Sequence, residues 1–323
     1  MDYIGIDISK STFVVAYPQL KGYKICEFKN TPKGINSFIK TLNQEDNHCI
    51  MEATGNYCML ILYMLNESKI KVSLINPLKT HNFARAEMAV TKTDAEDAKL
   101  LSKYGSEKHP EVYKMPTKTI LLLKQQRVVL RQYKKQLVAL KNLLLSLEVL
   151  PIINKLAIKS LKDTIRTLEA QIAKLEDDMT NITKTEYQRQ FECLTSIKGI
   201  GSQIATELII TTGGFSYFQT AKQFSRYIGL CPTIIQSGSS INIKGHINRN
   251  GDPHLRGLLY IISMQAIRCN TACKEFYSRL KAKGKSGKVA IVAVANKLIR
   301  QAFAVIKKSC MYIDGYVSCL NIV

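Results

Sequence analysis

The amino-acid sequence predicts an α/β domain on a mixed sheet, then a long helical middle, then a mainly helical (all-α) C-terminal domain. Three observations carry this. Over roughly the first hundred residues, β-rich runs and apolar helical stretches alternate in the order βββ-α-β-α-β-α. From Thr117 to about Arg189 the composition shifts to Leu, Lys, Gln and Glu with apolar residues at helical spacing, and from Phe191 onward glycines punctuate helical segments.

Residues 3–8, 12–17 and 23–28 are short β-rich runs separated by a few turn-compatible residues, the pattern of a three-strand meander. Thr31-Pro32 reads as a cap followed by proline at the first helical position, opening a helix to about Leu42. Residues 48–52 form a fourth strand, broken by Gly55-Asn56, and 57–66 an apolar helix. Residues 72–75 form a fifth strand, stopped by Asn76-Pro77, and helices over about 78–87 and 94–104 complete the domain. In the middle region Pro151 separates two long helices. There Leu161, Ile165, Leu168, Ile172 and Leu175 make a heptad-like seam, compatible with an antiparallel hairpin, an intermolecular coiled coil or an ordinary packed pair. A basic polar loop is expected over 234–253. The domain boundaries read as 1–115, 116–190 and 191–323.

The chain of 323 residues carries 46 Lys plus Arg against 25 Asp plus Glu, a net charge of +21. An excess of that size repels itself unless a polyanion neutralises it. Nucleic acid phosphate is the first candidate and an anionic membrane surface the second. A hydrophobic fraction of 46% excludes a disordered basic tail protein. The longest apolar runs, such as 258–264 and 59–65, fall far short of the roughly 20 residues of a bilayer span, so no membrane partner is expected. The N-terminus lacks the pattern of a secretory signal, and the expected location is the cytoplasm. Nine cysteines without a CxxC pair predict reduced thiols, and five histidines without metal-ligand spacing predict no zinc site.

Four carboxylates stand out. Asp7 follows Tyr3-Ile4-Gly5-Ile6, so a charge falls inside an apolar strand, and Glu52 ends the fourth strand in a sheet order where strands one and four are often neighbours. Asp94 and Asp97 lie three apart on a helix and share a face, with Ala95 and Glu96 pointing elsewhere. Acids gathered in a polyanion-binding protein make physical sense when divalent cations neutralise them and then hold a scissile phosphate. Mg²⁺ is the natural ion, because it prefers hard oxygen ligands and keeps open water positions. Each acid singly is also compatible with a surface charge or a cap, and Asp94 after Thr91-Lys92-Thr93 is a ready N-cap.

YIGIDISKSTF around Asp7, MEATGNY around Glu52 and TKTDAEDAKLL around Asp94 and Asp97 resemble a known signature. It is the DEDD set of the RuvC-like, ribonuclease-H-like domain in the IS-one-ten (IS110) family of insertion-sequence transposases, related to Piv-type DNA invertases. The resemblance implies a RuvC-like fold for 1–115 and Mg²⁺ bound by Asp7, Glu52, Asp94 and Asp97.

Residues 194–201, Leu-Thr-Ser-Ile-Lys-Gly-Ile-Gly, followed by an apolar helix, read as a helix-hairpin-helix. Its Lys198, Gly199 and Gly201 offer a charge and backbone amides to a DNA phosphate without reading sequence, although a plain glycine turn between packed helices fits as well. Tyr227-Ile228-Gly229-Leu230-Cys231-Pro232, then Gln236-Ser237-Gly238-Ser239-Ser240, then Lys244-Gly245-His246, Gly251 and Leu255-Arg256, resemble the C-terminal transposase domain of the same family. In that domain a serine just before glycine is the nucleophile. The likeness implies that Ser237 attacks DNA; Ser239 and Ser240 compete with it for the role, and Lys244, His246, Arg249 and Arg256, which follow within 19 residues, supply cations to hold a phosphodiester. One departure is the single basic residue, Arg249, in the turn Asn248-Arg249-Asn250.

The resemblance spans residues 3 to about 300 and implies a DNA transposase or site-specific recombinase that cuts and rejoins strands through a phosphoserine link. It further implies a composite site with acids from another protomer, a structured noncoding guide RNA, and a dimer assembling to a tetramer through the 117–189 helices. The cations Arg268, Lys274, Arg279, Lys281, Lys283, Lys285 and Lys288 read as a nucleic-acid face or a solvated surface. Rival readings are a Holliday-junction endonuclease using metal-activated water, a catalytically silent nucleic-acid-binding protein, and an actin-like ATPase. The last lacks a second glycine-rich acidic phosphate loop.

Overall fold

A computed structural model describes residues 1–88, 91–237, 241–247 and 251–315, and the side chains of these except 233–246. The chain forms two compact units, Met1–Met115 and Pro116–Val323.

In the first unit, β1 (Asp2–Ile8), β2 (Thr12–Pro18) and β3 (Tyr23–Lys29) form an antiparallel meander, and β4 (Asn47–Glu52) and β5 (Lys71–Ile75) extend it in parallel. The strand order is β3-β2-β1-β4-β5, a mixed sheet with β1 at its centre. Alternation along β1 sorts the faces. Ile4, Ile6 and Ile8 join Phe13, Val15, Cys49 and Met51 against α1 (Pro32–Ile39) and α2 (Met59–Glu67), supplying one core. The opposite face carries Gly5, Ile50 and Ile75 against α4 (Asp94–Lys108), with α3 (Pro77–Ala86) beside it. Gly5 is required by that packing. A Cβ there would lie 1.9 Å from the carbonyl oxygen of Ala98, so α4 sits directly on the β1 backbone.

The second unit opens with α5 (Lys118–Glu148) and α6 (Lys155–Glu186), packed antiparallel. Ion pairs Lys134–Glu176, Lys141–Glu169 and Glu148–Lys162 link the two helices, stepping by seven residues on each. Ile165 and Ile172 of the predicted seam are buried within this hairpin, so the seam closes inside the chain. The core of the unit surrounds α8 (Ser202–Thr212), which is buried from Ile204 to Thr212, flanked by α7 (Gln188–Thr195) and α9 (Ala221–Tyr227). Helices α10 (Pro253–Cys269), α11 (Thr271–Ala282) and α12 (Gly287–Lys308) complete it. Of the described helices, α12 is long and apolar enough to cross a membrane by length and composition. Its face of Ala290, Val294, Leu298, Ile299 and Ala302 is buried in the unit.

The sequence expectation fails at 234–253. Much of that stretch, read as a polar loop, is an antiparallel hairpin of β6 (Pro232–Ser237) and β7 (Ile241–Ile247). Ile241, Ile243 and Ile247 alternate with Asn242, Lys244 and His246, a period-two signal masked by the surrounding Gly and Ser.

Candidate active site

The parallel register of β1 on β4 pairs Ile6 with Met51, which brings Asp7 and Glu52 alongside each other one residue further on. Both strands end beneath the first turn of α4. Its N-cap is Thr93, whose hydroxyl accepts from the Glu96 amide at 3.3 Å; Asp94 is therefore the first helical residue and not the cap that the sequence suggested. Asp94, Glu96 and Asp97 share this turn, where the helix dipole favours negative charge.

The acids feel one another. Burial first, then repulsion from Asp97, Asp94 and Glu52, pushes the Asp7 carboxyl up to about 6. Asp97 is also raised, by burial and, against the opposing pull of Lys92, by Glu52, Asp94 and Glu96. A cavity of about 830 Å³ is lined by Asp7, Glu52, Asp97 and, against expectation, Glu96, which pairs with Lys99 at 2.7 Å. Asp94 is exposed, is not among the lining residues, and acts on Asp7 through its charge. His81, Arg85 and Lys92 add positive or polar edges to the same cavity.

Thr80 is a site residue that sequence reading missed. It is buried on α3, and its hydroxyl contacts Glu52 Oε2 and the Pro77 carbonyl oxygen. Its signal was weak: a threonine one turn past Asn76-Pro77 reads as an ordinary helical residue. Among the described residues, no group of three or more His, Cys, Asp or Glu side chains is assembled to hold a metal ion. One Glu52 oxygen is engaged by Thr80 instead.

In the second unit the helix-hairpin-helix reading corresponds to α7, a turn with Gly199 at φ +104°, and α8, which Gly201 caps without a side-chain bond. Lys198 Nζ donates to Asp314 Oδ2 at 3.1 Å in an exposed ion pair, and Arg256 Nη1 donates to the Ile228 carbonyl at 2.9 Å. Ser237 is the last residue of β6, opposite Ile241, at the far end of the hairpin. Lys244 lies on β7. Gly238, Ser239, Ser240 and Arg249 lie outside the described residues, and the side chains of Ser237 and Lys244 are likewise not described.

Comparison with known proteins identifies the lineage. Residues 191–278 match the domain described as Transposase IS116/IS110/IS902 family, and residues 4–151 match the DEDD-type IS110 transposase domain. The chain is 32% identical over 317 residues to the pilin gene-inverting protein of Moraxella bovis, covering 95% of this chain and 96% of that protein. The chain belongs to the IS110 family of DEDD-type transposases. The Moraxella lacunata pilin gene-inverting protein is similar to the same degree and over the same extent. An insertion element IS110 protein of Streptomyces coelicolor is 31% identical over 147 residues, 46% of this chain and 34% of its own length. This transposase is thus an enzyme of DNA recombination, and DNA is its partner.

Proposed function

We propose that this IS110-family transposase cuts and rejoins DNA strands through a serine-linked intermediate, with a Mg²⁺-binding carboxylate cluster in a RuvC-like first unit. The observation that carries the metal part is the shared cavity lined by Asp7, Glu52 and Asp97, in which burial first and neighbouring carboxylates second raise Asp7 and Asp97. Hard carboxylate oxygens in a polyanion-binding protein suit a hard divalent cation, which would offset the charge that neighbouring acids place on Asp7 and Asp97. Asp7, Glu52, Asp94 and Asp97 are the residues that would hold it, and when bound it supplies Lewis-acid stabilisation of a scissile phosphate. The strand order β3-β2-β1-β4-β5, with acids at the ends of β1 and β4, supports the RuvC-like reading.

The remaining chemistry falls to the chain. Ser237 Oγ loses its proton and attacks phosphorus, forming a P–O bond to serine as the bond to one deoxyribose oxygen breaks and that oxygen leaves as a hydroxyl. A hydroxyl of the second strand then attacks the same phosphorus and releases Ser237. Because one phosphodiester bond is exchanged for another, no nucleotide cofactor is consumed. Lys198, Gly199, Gly201, Lys244, Arg249 and Arg256 are read as backbone-phosphate contacts; Lys198 would exchange Asp314 for phosphate.

A structured noncoding RNA as guide is part of this reading, resting on the family resemblance and on the net charge of +21. A dimer that assembles to a tetramer through the α5–α6 hairpin is another, supported by Val149, Ile152 and Leu156, which are exposed at its tip. The test is incubation of the purified protein and its co-purifying RNA with element-end DNA and Mg²⁺, scored for protein-linked DNA on a denaturing gel. The adduct is expected for wild type and absent in both Ser237→Ala and Asp7→Ala. Free cleaved ends that survive Ser237→Ala and vanish in Asp7→Ala would overturn the serine step in favour of metal-activated water.

A further inference from the structure

The hairpin that carries Ser237 is fastened at its base by a set of interactions that the proposed chemistry leaves unexplained. It leaves the unit just after α9 and returns just before α10, and the two ends are pinned together. Gly251, at φ +103°, lies so close to the chain that a Cβ would fall 2.5 Å from the Tyr227 carbonyl oxygen. Arg256 Nη1 donates to the Ile228 carbonyl at 2.9 Å. Between these two residues, Asp252 caps α10, its Oδ1 accepting from the His254 and Leu255 amides at 3.0 and 3.1 Å.

The other oxygen of Asp252 faces α5. Arg131 Nη2 donates to Asp252 Oδ2 at 3.1 Å and also contacts Glu207 Oε1 on the buried helix α8. Arg127, one turn earlier, bonds Thr211 at 2.9 Å and lies 3.5 Å from the same Glu207 oxygen. The Glu207 side chain is 10% exposed and that of Asp252 20%, so neither charge is left to solvent. Burial alone would push the Asp252 carboxyl up; the Leu255 amide and Arg131 outweigh it and hold the carboxyl below its usual range. Desolvated carboxylates are costly unless paired, and here one guanidinium satisfies two of them from separate elements.

We infer that Arg131 is a positioning residue for the reaction: bridging Glu207 and Asp252, it forms an ionic latch that fixes the base of β6–β7 and so the aim of Ser237. The inference rests on the reading of Ser237 as nucleophile. It makes the long helix α5 a mechanical support of the reactive hairpin, so a partner that shifts α5 shifts the hairpin base with it.

The variant that isolates the latch is Asp252→Asn, because asparagine caps a helix as well as aspartate while removing the charge that Arg131 reads. Arg131→Met is its companion. Amide hydrogen exchange of the full chain, free of DNA, is expected to accelerate about tenfold within 232–237 and 241–247 in both variants, while α12 changes less than about twofold. With element-end DNA and Mg²⁺, adduct formation at saturating DNA is expected to slow about tenfold with an unchanged Kd for DNA. Unchanged exchange in the hairpin overturns the latch. Acceleration spread equally through α12 does so too, since the charges would then serve only the stability of the unit. If wild type forms no adduct, the reading of Ser237 fails separately, and the exchange comparison still decides whether the latch holds the hairpin.

Discussion

At the scale of single residues, the first unit holds carboxylates against their preference. The Asp7 carboxyl, raised from its ordinary 3.8 to about 6, binds a proton more tightly in the folded than in the unfolded chain. Its contribution to stability is therefore present below about pH 4 and is lost as pH rises towards 6 and beyond. In the absence of divalent ions, Asp7→Asn should remove much of that slope and raise stability at pH 7.5 by about 1 kcal/mol, allowing for solvent screening. Thermal melts from pH 3.5 to 7.5 measure it, and a steeper slope in the variant would contradict the cluster. Thr80 gives the complementary case. Thr80→Val strands Glu52 without its hydroxyl donor and should cost about 1–3 kcal/mol, with Thr80→Ser close to wild type. The same pair should separate in Mg²⁺-dependent cleavage, serine keeping it and valine abolishing it. Asp7 stands out in the sequence because a charge inside an apolar strand is conspicuous, whereas Glu96, expected to point elsewhere, lines the same cavity as Asp7. Thr80 does not stand out, because its role depends on α3 folding back over the end of β4.

At the scale of elements, the first unit was largely readable. Strand runs bounded by Gly, Asn and Pro, and an apolar helix after Gly55-Asn56, carry local signals that the tertiary structure keeps. The hairpin β6–β7 is hidden in the sequence because Gly238, Ser239 and Ser240 carry a loop signal that outweighs the isoleucine alternation beside it. The cap of α4 shifted by one residue, from Asp94 to Thr93, because the threonine hydroxyl reaches the Glu96 amide. The glycine in β1 shows what periodicity alone does not reveal: Gly5 is there for helix packing. Gly5→Ala should destabilise the first unit by about 2–3 kcal/mol by lifting α4, and with it Asp97, off the sheet. Urea unfolding checks the stability, and a cost below about 0.5 kcal/mol would show that α4 can yield.

At the scale of the whole molecule, the net charge of +21 and the exposed basic residues of α11 and the start of α12 favour binding governed by phosphate. Neutralising Lys281, Lys283 and Lys285 together should weaken binding to all duplex sequences alike. It should also flatten the slope of log K against log salt by about 0.9 for each phosphate that these lysines neutralise. A slope unchanged across a salt titration would assign these lysines to a solvated surface. How specificity arises is not legible in the residues, because phosphate contacts position DNA without reading it.

Ser237 is the residue proposed to take the DNA strand, and the serine mechanism stands or falls with it. Trypsin, cutting after Arg226 and Lys244, releases residues 227–244 as one peptide containing Ser237, Ser239 and Ser240. The decisive measurement is fragment mass spectrometry of this peptide from wild-type protein trapped on nicked element-end DNA with Mg²⁺, after nuclease digestion. The expected result is a nucleotide remnant on Ser237. A remnant on Ser239, on Ser240 or on another residue, or cleaved DNA with an unmodified peptide, would contradict it.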